Sequence, residues 1–272
     1  MPEADIRLLL AAGAAAGEIA KRHFKASPET WDKAGDQGPV TEADLAINRM
    51  LKAELLTARP DYGWLSEESE DGSARLANER VFIVDPIDGT RAFINGEPGF
   101  SHSIAIAERG EIIAAMVHVP MKAQSFHATL AGGAYCNGAP ITVSATEKMN
   151  GARVLCRRPD LKPEHWRAPP EIQPHFRPSL AYRLCLVGEG RFDAMFTLRP
   201  AWEWDVAAGD LIVREAGGMT STTSGDKTRY NNPVPRLAGL VAGPQKLAQN
   251  IIMALQPAAK QPIAGQIKPN GE

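Results

Sequence analysis

Hydrophobic and polar positions in the first third of the chain follow two different periods. The apolar residues of positions 4–25 recur three or four residues apart, which predicts an amphipathic helix. Positions 41–55 repeat this spacing, and Thr41 followed by Asp44 three positions later resembles a capping box. Positions 81–84, in contrast, form a short continuous apolar run, which predicts a buried strand.

Later positions indicate a sheet and then an alternation of strands and helices. Apolar runs at 100–107 and 111–119 flank Arg109 and Gly110, which predicts a β-hairpin, and positions 124–129 extend it as an antiparallel sheet. The alternation that follows predicts a layered α/β unit. Its predicted elements are strand 153–156, helix 179–188, strand 192–198, helix 204–216, strand 237–242 and helix 245–255.

These elements predict one catalytic domain over residues 1–256, made of two lobes. An α+β lobe with an antiparallel sheet covers about residues 1–145, and an α/β lobe covers about residues 146–256. Positions 157–178 contain six prolines and are predicted to be a surface excursion between the lobes. Positions 257–272 offer little to bury, so we expect a disordered tail.

Composition and charge exclude several classes of function. The chain has 272 residues, 44% of them hydrophobic, which is enough for one large core or two smaller ones. Its formal net charge of -2 gives no general attraction to nucleic acid polymers or anionic membranes. The three cysteines form no Cys-x-x-Cys pair, which argues against a disulfide framework or a zinc knuckle. Charged residues interrupt the Ala-rich N-terminal region before it reaches the length of a membrane span, so a cytoplasmic protein is expected.

A candidate cation site follows the buried strand predicted at 81–84. Positions 85–90 read Asp-Pro-Ile-Asp-Gly-Thr, which places two carboxylates, a hydroxyl and a glycine turn together. Two like charges about 4 Å apart repel by on the order of 4 kcal/mol at an effective dielectric near 20, so gathered carboxylates favour a counter-cation. Oxygen ligands favour magnesium, calcium or manganese.

Four further acidic residues lie at the ends of predicted elements. They are Asp44, Glu67, Glu68 and Asp205. Each alone has a structural explanation, because Thr-x-x-Asp is commonly a helix cap and an Asp in a first turn complements the helix dipole. An EF-hand loop is excluded, since Ile87 and Gly89 occupy positions that require oxygen side chains. The chain also contains no complete Walker loop, His-Glu-x-x-His or Gly-x-Ser-x-Gly motif.

Taken together, the motifs resemble the inositol monophosphatase superfamily. They are Gly-Pro-Val-Thr-Glu-Ala-Asp at 38–44, Ser-Glu-Glu-Ser at 66–69, the motif at 85–90, and Trp-Asp-Val-Ala-Ala-Gly at 204–209 followed by Glu-Ala-Gly-Gly at 215–218. Their order and spacing agree over roughly residues 5 to 255. The resemblance implies a layered α/β/α/β/α sandwich of mixed α+β and α/β character, usually assembled as a homodimer and often inhibited by lithium.

The resemblance also implies a magnesium-dependent phosphomonoesterase with two or three Mg²⁺ ions in its active site. Glu67, Asp85 and the backbone carbonyl of Ile87 would hold a first ion. Asp85, Asp88 and Asp205 would hold a second, so that Asp85 bridges the pair. Two metals can stabilise both the attacking and the leaving oxygen of an in-line displacement at phosphorus.

The same resemblance assigns roles around the attacking water. Thr90, oriented by Asp44, would position this water and help to deprotonate it, and Gly89 would let the backbone approach the phosphate. Glu68 would orient ligands or water, and Lys33 would add positive charge beside the metals. The residues assigned to catalysis are Asp44, Glu67 and Thr90.

The positions expected to contact the rest of the substrate depart from the inositol phosphatase pattern. Positions 179–185 replace a Gly-Ser-Ala-Ala-like segment, and Leu198 with Arg199 stands near the place of an acid that grips a sugar hydroxyl. Arg199, helped by Arg183 or Arg91, would bind a second phosphate, although a solvated rim or an interface ion pair also explains these arginines. The motifs resemble bacterial 3'(2'),5'-bisphosphate nucleotidases, which implies hydrolysis of adenosine 3',5'-bisphosphate to AMP and phosphate.

Three alternatives remain open from the sequence. They are an inositol-1-monophosphatase, a histidinol-phosphate phosphatase, and a catalytically inactive metal-dependent binding protein with the same fold. In each case the expected partner is a small phosphorylated molecule rather than a nucleic acid polymer or a membrane. The predicted substrate-binding residues are Asp88, Gly89, Thr90, Arg199 and Asp205.

Overall fold

A computed structural model describes residues 2–33 and 38–256. The tail predicted at 257–272 lies outside the described residues. Within them, the first part of the chain forms three helices and nine strands: α1 (Pro2–His23), β1 (Thr30–Asp32), β2 (Pro39–Thr41), α2 (Glu42–Ala58), β3 (Gly63–Ser66), β4 (Arg80–Asp88), α3 (Thr90–Ile94), β5 (Ser101–Glu108), β6 (Glu111–Val119), β7 (Gln124–Thr129), β8 (Gly133–Cys136) and β9 (Ala139–Pro140).

Seven of these strands form the first sheet, in the order β3-β4-β5-β6-β7-β8-β9. β3 and β4 are parallel, and the other neighbouring pairs are antiparallel. The predicted hairpin joins β5 to β6, and Arg109 and Gly110 both adopt positive φ angles, of 49° and 84°. Two such residues form a turn whose twist matches that of the paired strands. β1 and β2 form a separate antiparallel pair.

The later part of the chain that the structure describes forms three helices and seven strands. They are β10 (Arg153–Leu155), β11 (Gln173–His175), α4 (Leu180–Gly188), β12 (Ala194–Thr197), β13 (Ala201–Trp202), α5 (Glu203–Glu215), β14 (Met219–Ser221), β15 (Arg236–Leu237), β16 (Leu240–Gly243) and α6 (Gln245–Ala254). Five strands form a second, mixed sheet in the order β11-β10-β12-β16-β14, and β13 pairs with β15.

Helices and sheets alternate as five layers. α1 and α2 bury their apolar faces against one side of the first sheet, where Phe82 and Ile104 point. Because successive strand residues face opposite sides, Ile83 points the other way, into a cluster shared by α4, α5 and the second sheet. α6 covers the outer face of the second sheet through Leu247 and Ile251. This order confirms the predicted α/β/α/β/α sandwich. No helix in the described part of the chain is long and apolar enough to cross a membrane.

The strand predicted at 237–242 was wrong as a single element. β15 ends at Leu237 and β16 starts at Leu240, and the two strands belong to different sheets. Between them Gly239 has a φ of +84°, and a Cβ there would lie 2.6 Å from the carbonyl oxygen of Thr197. Only glycine fits this turn without strain, which redirects the chain from one sheet to the other.

The description of positions 157–178 as a surface excursion was also incomplete. This segment contains β11, which pairs in parallel with β10 at the edge of the second sheet. It also buries Trp166, whose ring packs edge-on against Phe196 at a centroid distance of 5.2 Å. A strand of three residues is too short to show a periodic pattern. Pro174 also argues against a strand at this position, because proline is confined to edge strands and bulges.

Candidate active site

Three acidic side chains from three different elements converge at the end of β3. Carboxylate oxygens of Glu67, Asp85 and Asp205 all lie within 4.8 Å of one another. β3 and β4 run in parallel with Ser66 opposite Val84, so the next residue of each segment reaches the same place. Asp205 arrives from the first turn of α5. The structure thus brings together three of the residues predicted to bind metal.

A bulge in β4 turns Asp88 toward the same side as Asp85. Residues three apart in a regular strand face opposite sides of a sheet. In this sheet Asp85 pairs with Ser103 and Asp88 pairs with Ser101, so β4 contains one residue more than β5 over this interval. The extra residue restores both carboxylates to one face. Proline at position 86 suits a bulge because it has no N–H for the ladder.

Asp88 lies outside the closest group of oxygens and is held by the start of α4. Its Oδ2 accepts hydrogen bonds from Ser179 Oγ and from the backbone N–H of Ala181, both at 2.6 Å. Burial raises the pKa of Asp88 to about 6, although these two donors oppose the shift. Two donors on one oxygen fix the plane of the carboxylate beside the other acidic groups.

The electrostatics of the cluster favour a bound cation. Burial raises the pKa of Asp85 and of Asp205 well above the usual range, and the neighbouring carboxylates raise both further. Asp85 Oδ1 is buried, and no residue in the described ranges donates a hydrogen bond to it. A buried acceptor without a donor is costly. Close-set carboxylate oxygens with an unpaired acceptor match the ligand preference of Mg²⁺, so the residues present fit this ion.

Lys33 supplies part of the positive charge that is needed to balance the acidic cluster. Its Nζ donates a hydrogen bond to Glu67 Oε1 at 2.7 Å and another to Glu68. Burial lowers the pKa of Lys33, but the two carboxylates outweigh burial and raise it overall. The side chain is therefore protonated, yet one ammonium group cannot neutralise the whole acidic cluster.

Thr90 and Asp44 lie in contact. Asp44 Oδ2 accepts hydrogen bonds from the N–H and the hydroxyl of Thr41, at 2.9 and 2.5 Å, within the predicted capping box of α2. Asp44 Oδ1 lies 3.4 Å from the hydroxyl of Thr90, which also lies 3.0 Å from the carbonyl oxygen of Ile87. Burial raises the pKa of Asp44 to about 6. Asp44 therefore both caps the helix and reaches Thr90.

Gly89 makes the turn that presents Thr90. Its φ of +97° lies in the left-handed region, where a side chain is strained. A Cβ at this position would also lie 3.5 Å from the backbone nitrogen of Ser179 and from Cα of Phe100. The turn places Thr90 at the first position of α3, directly after β4.

Sequence reasoning missed the residue that holds the Glu67 and Glu68 turn. Asn48 of α2 donates a hydrogen bond to the carbonyl oxygen of Glu68 at 2.9 Å and accepts one from Ser66 Oγ at 2.8 Å. Asn48 lies one helical turn after Asp44, on the buried face of α2. Two polar residues one turn apart on an otherwise apolar face were the signal that could have revealed it.

The arginines predicted to contact the substrate lie in different environments. Arg183 is buried in α4, and its guanidinium group lies 4.4 Å from the ring centroid of Phe176. Arg199 is exposed, and its charge acts on both Arg183 and Asp205. Arg91 is exposed on α3. The charge of Arg199 therefore acts on one residue of the acidic cluster and on Arg183, whose own charge acts on Asp88.

Comparisons with known proteins find relatives over most of the chain. The sequence profile of the inositol monophosphatase family matches residues 2–261. An inositol-1-monophosphatase of Rhizobium meliloti is 35% identical over 196 residues, which are 68% of this chain and 73% of the relative. A histidinol-phosphatase of Chlorobaculum parvum is 28% identical over 262 residues, which are 92% of this chain and 96% of the relative. The extragenic suppressor protein SuhB of Bartonella henselae has a similar structure, with a TM-score of 0.79 and 28% identity over 92% of this chain and 97% of that one.

The chain belongs to the inositol monophosphatase family. Members of this family are phosphatases that in general depend on Mg²⁺. The protein is accordingly a phosphatase of this family, and its fold is that of the family's solved structures.

Proposed function

We propose that this protein is a Mg²⁺-dependent phosphomonoesterase for a small doubly phosphorylated substrate, most specifically adenosine 3',5'-bisphosphate. The observation that supports the chemistry best is the convergence of three carboxylates around the unpaired Asp85 Oδ1. The observation that supports the second phosphate is the pair Arg183 and Arg199 beside those carboxylates. The proposed active site therefore has two phosphate-binding regions. One binds the phosphate ester that is hydrolysed, and the other binds the second phosphate.

The proposed metal ligands divide into two sets that share Asp85. Glu67, Asp85 and the carbonyl of Ile87 form one set, and Asp85, Asp88 and Asp205 form the other. Ile87 can serve although its carbonyl accepts from Thr90, because a carbonyl oxygen has two lone pairs. When bound, Mg²⁺ supplies positive charge that stabilises the phosphoryl oxygens and makes the attacking water more acidic.

Thr90 and Asp44 form the proposed proton path. The single hydroxyl hydrogen of Thr90 lies between two acceptors, Ile87 O at 3.0 Å and Asp44 Oδ1 at 3.4 Å. In the proposed step this hydrogen turns from Ile87 to Asp44 as the attacking water donates to Thr90 Oγ1. One proton then moves from water to Thr90 as another moves on to Asp44. The water oxygen bonds to phosphorus as the ester oxygen leaves with its electron pair. With a pKa raised to about 6 by burial, Asp44 is a stronger base than an ordinary aspartate. Glu67, held by Lys33 at 2.7 Å, is a second proposed acceptor.

A cluster of arginines supports a doubly phosphorylated substrate. Burial lowers the pKa of Arg183 to about 10, and the nearby charges of Arg199 and Arg157 act in the same direction. Gathered guanidinium groups favour an anion for the same reason that gathered carboxylates favour a cation. The Asp88 carboxylate also acts on Arg183, so this positive region adjoins the acidic one. A second phosphate bound beside these arginines would neutralise their positive charge through charge-assisted hydrogen bonds.

An exposed aromatic ring supports a nucleotide rather than a polyol. Phe176 packs against the guanidinium group of Arg183 and is nevertheless 53% exposed. An open aromatic face is a surface on which a nucleobase stacks, typically with a gain of about 1–3 kcal/mol per base. Inositol has no aromatic ring and would leave the exposed face of Phe176 without a stacking partner.

The proposal is tested by the release of phosphate from three substrates side by side, with Mg²⁺ and with a chelator. We expect adenosine 3',5'-bisphosphate to exceed inositol 1-phosphate and histidinol phosphate by about tenfold or more in kcat/KM, and the chelator to remove all activity. Preference for either monoester would reject the bisphosphate and leave the metal chemistry standing. No release from any of the three would support the inactive binding protein instead.

Arg199 provides a sharper test of the second phosphate. We expect Arg199→Ala to lower kcat/KM for adenosine 3',5'-bisphosphate by about tenfold or more, because one charge-assisted hydrogen bond to phosphate is lost. Activity on inositol 1-phosphate should be nearly unchanged. Arg109→Ala is the matched control, since Arg109 is exposed in the β5–β6 hairpin and pairs with Glu79. Equal losses on both substrates would contradict the role given to Arg199.

A further inference from the structure

β5 begins with three consecutive polar residues that are fully buried. Ser101, His102 and Ser103 are each at most 1% exposed. By strand alternation the two serines face α4 and α5, and His102 faces α1 and α2. Buried polar groups require partners. His102 and Ser103 bond to residues next to proposed metal ligands, and Ser101 bonds to Ser179, which itself binds Asp88.

Ser101 acts on Asp88 through Ser179. An ionised carboxylate can only accept, so the hydroxyl hydrogen of Ser179 points to Asp88 Oδ2 across 2.6 Å. The 2.9 Å contact between the two serine hydroxyls is therefore a donation from Ser101 to Ser179. Ser179 Oγ also accepts from the N–H of Tyr182 at 2.9 Å. Ser101 thus directs the hydroxyl of Ser179 toward Asp88.

Ser103 acts on the segment that contains Asp205. Its hydroxyl donates a hydrogen bond to the carbonyl oxygen of Trp204 at 3.0 Å. Asp205 is the next residue, in the first turn of α5. Because this contact joins the middle of the first sheet to the start of the helix, it fixes the distance between β5 and Asp205.

His102 holds the bulge that aligns Asp85 with Asp88. Its Nδ1 lies 2.5 Å from the carbonyl oxygen of Pro86, and since a carbonyl only accepts, Nδ1 must carry the hydrogen. Burial lowers the pKa of His102 to about 4, which keeps the ring neutral, and Nε2 has no partner within the described ranges. A bulge leaves its extra residue unpaired in the ladder. His102 supplies a hydrogen bond at this point in place of the strand backbone.

We propose that Ser101, His102 and Ser103 are positioning residues that set the separation of the metal-binding carboxylates. His102 has the largest share, because the bulge it holds decides on which face Asp85 and Asp88 lie. The inference rests on the proposed metal site. Loss of residues that orient metal ligands commonly lowers metal affinity by about 10-fold to 100-fold.

The test is the affinity of the metal-free full chain for Mn²⁺, measured by electron paramagnetic resonance. His102→Leu removes the donor and keeps an apolar side chain of moderate size, whereas His102→Asn keeps an amide N–H near the place of Nδ1. We expect His102→Leu to weaken Mn²⁺ binding by about tenfold or more, and His102→Asn to recover most of the loss. His127→Leu is the control, because His127 is a half-buried histidine of β7 whose Nδ1 has no partner in the described part of the chain.

Two results with the His102 variants would overturn the inference. One is unchanged Mn²⁺ affinity in folded His102→Leu protein, and the other is an equal loss in the Leu and Asn variants, which would show that ring packing matters rather than the hydrogen bond. If His102→Leu does not fold, Ser103→Ala removes a single hydroxyl and answers the same question, with unchanged affinity counting against the inference. Absence of Mn²⁺ binding in the wild-type protein would overturn the metal site itself, and the inference with it.

Discussion

Replacing Asp85 by asparagine is expected to remove nearly all Mg²⁺-dependent phosphate release and, at the same time, to make the metal-free protein more stable. Asp85 is shared by both proposed ligand sets, so its loss removes a ligand from each ion. In the absence of metal the same carboxylate is buried among Glu67, Asp88 and Asp205, whose charges raise its pKa. A neutral amide removes this repulsion while keeping the volume of the side chain.

The two effects have opposite signs and are measured separately. We expect kcat/KM to fall on the order of a thousandfold, as for loss of a group that stabilises developing charge in an active site. The melting temperature in chelator should rise, at about 2–4 °C per kcal/mol for a chain of this size. Addition of Mg²⁺ should stabilise the wild-type protein and leave Asp85→Asn unchanged. Asp226→Asn, an exposed aspartate in the loop after β14, is the control for loss of one carboxylate. A variant that is less stable without metal yet responds to Mg²⁺ like the wild type would contradict the cation site.

The acidic cluster could be predicted because its residues lie near the ends of strands or begin a helix, although β4 continues to Asp88 rather than ending at position 84 as predicted. The apolar run at 81–84 predicted a strand that ends beside Asp85, and the order of the motifs supplied Glu67 and Asp205. The parallel pairing of β3 with β4 could not be read from the sequence, although it is what places Glu67 beside Asp85. The pairing depends on contacts between segments far apart in the chain, which local periodicity does not report. The division into two lobes stays a prediction.

The bulge and its supports were equally invisible in the sequence. A regular strand would place Asp85 and Asp88 on opposite faces, and only the register with β5 shows the extra residue. The Ser-His-Ser start of β5 contained a signal, since three polar residues in an otherwise apolar strand must find buried partners. Their partners lie on β4, at the start of α4 and on α5. The sequence therefore indicates that buried hydrogen bonds exist but not which residues form them. The roles assigned to Asp44 and Thr90 also stay predictions, although the two side chains lie in contact.

The metal-free protein is also expected to lose stability as the pH rises from about 4 to about 7. Burial raises the pKa of Asp44 to about 6 and that of Glu68 to about 7, from ordinary values of 3.8 and 4.5. At a pH between the pKa of a group in the unfolded state and its pKa in the folded state, the folded protein keeps a proton that the unfolded protein has released. Stability therefore falls through this interval, and the loss is complete above the folded pKa. Because one pKa unit corresponds to about 1.4 kcal/mol and each pKa rises by about two units or more, the combined loss should be on the order of 6 kcal/mol.

Urea unfolding at about pH 5 and about pH 7.5, in chelator and in saturating Mg²⁺, measures this dependence. Mg²⁺ should remove most of it, because a bound cation stabilises the ionised carboxylates that burial otherwise disfavours. Glu68→Gln should reduce the pH dependence in chelator by removing one of the shifted groups, whereas Glu97→Gln, an exposed glutamate, should leave it unchanged. Metal-free stability that rises with pH would contradict the assignment. Lys33 stays protonated throughout this range, so the missing counter-charge at neutral pH must come from the ion. On this account the carboxylates that destabilise the metal-free protein at neutral pH include those that are proposed to bind the metals.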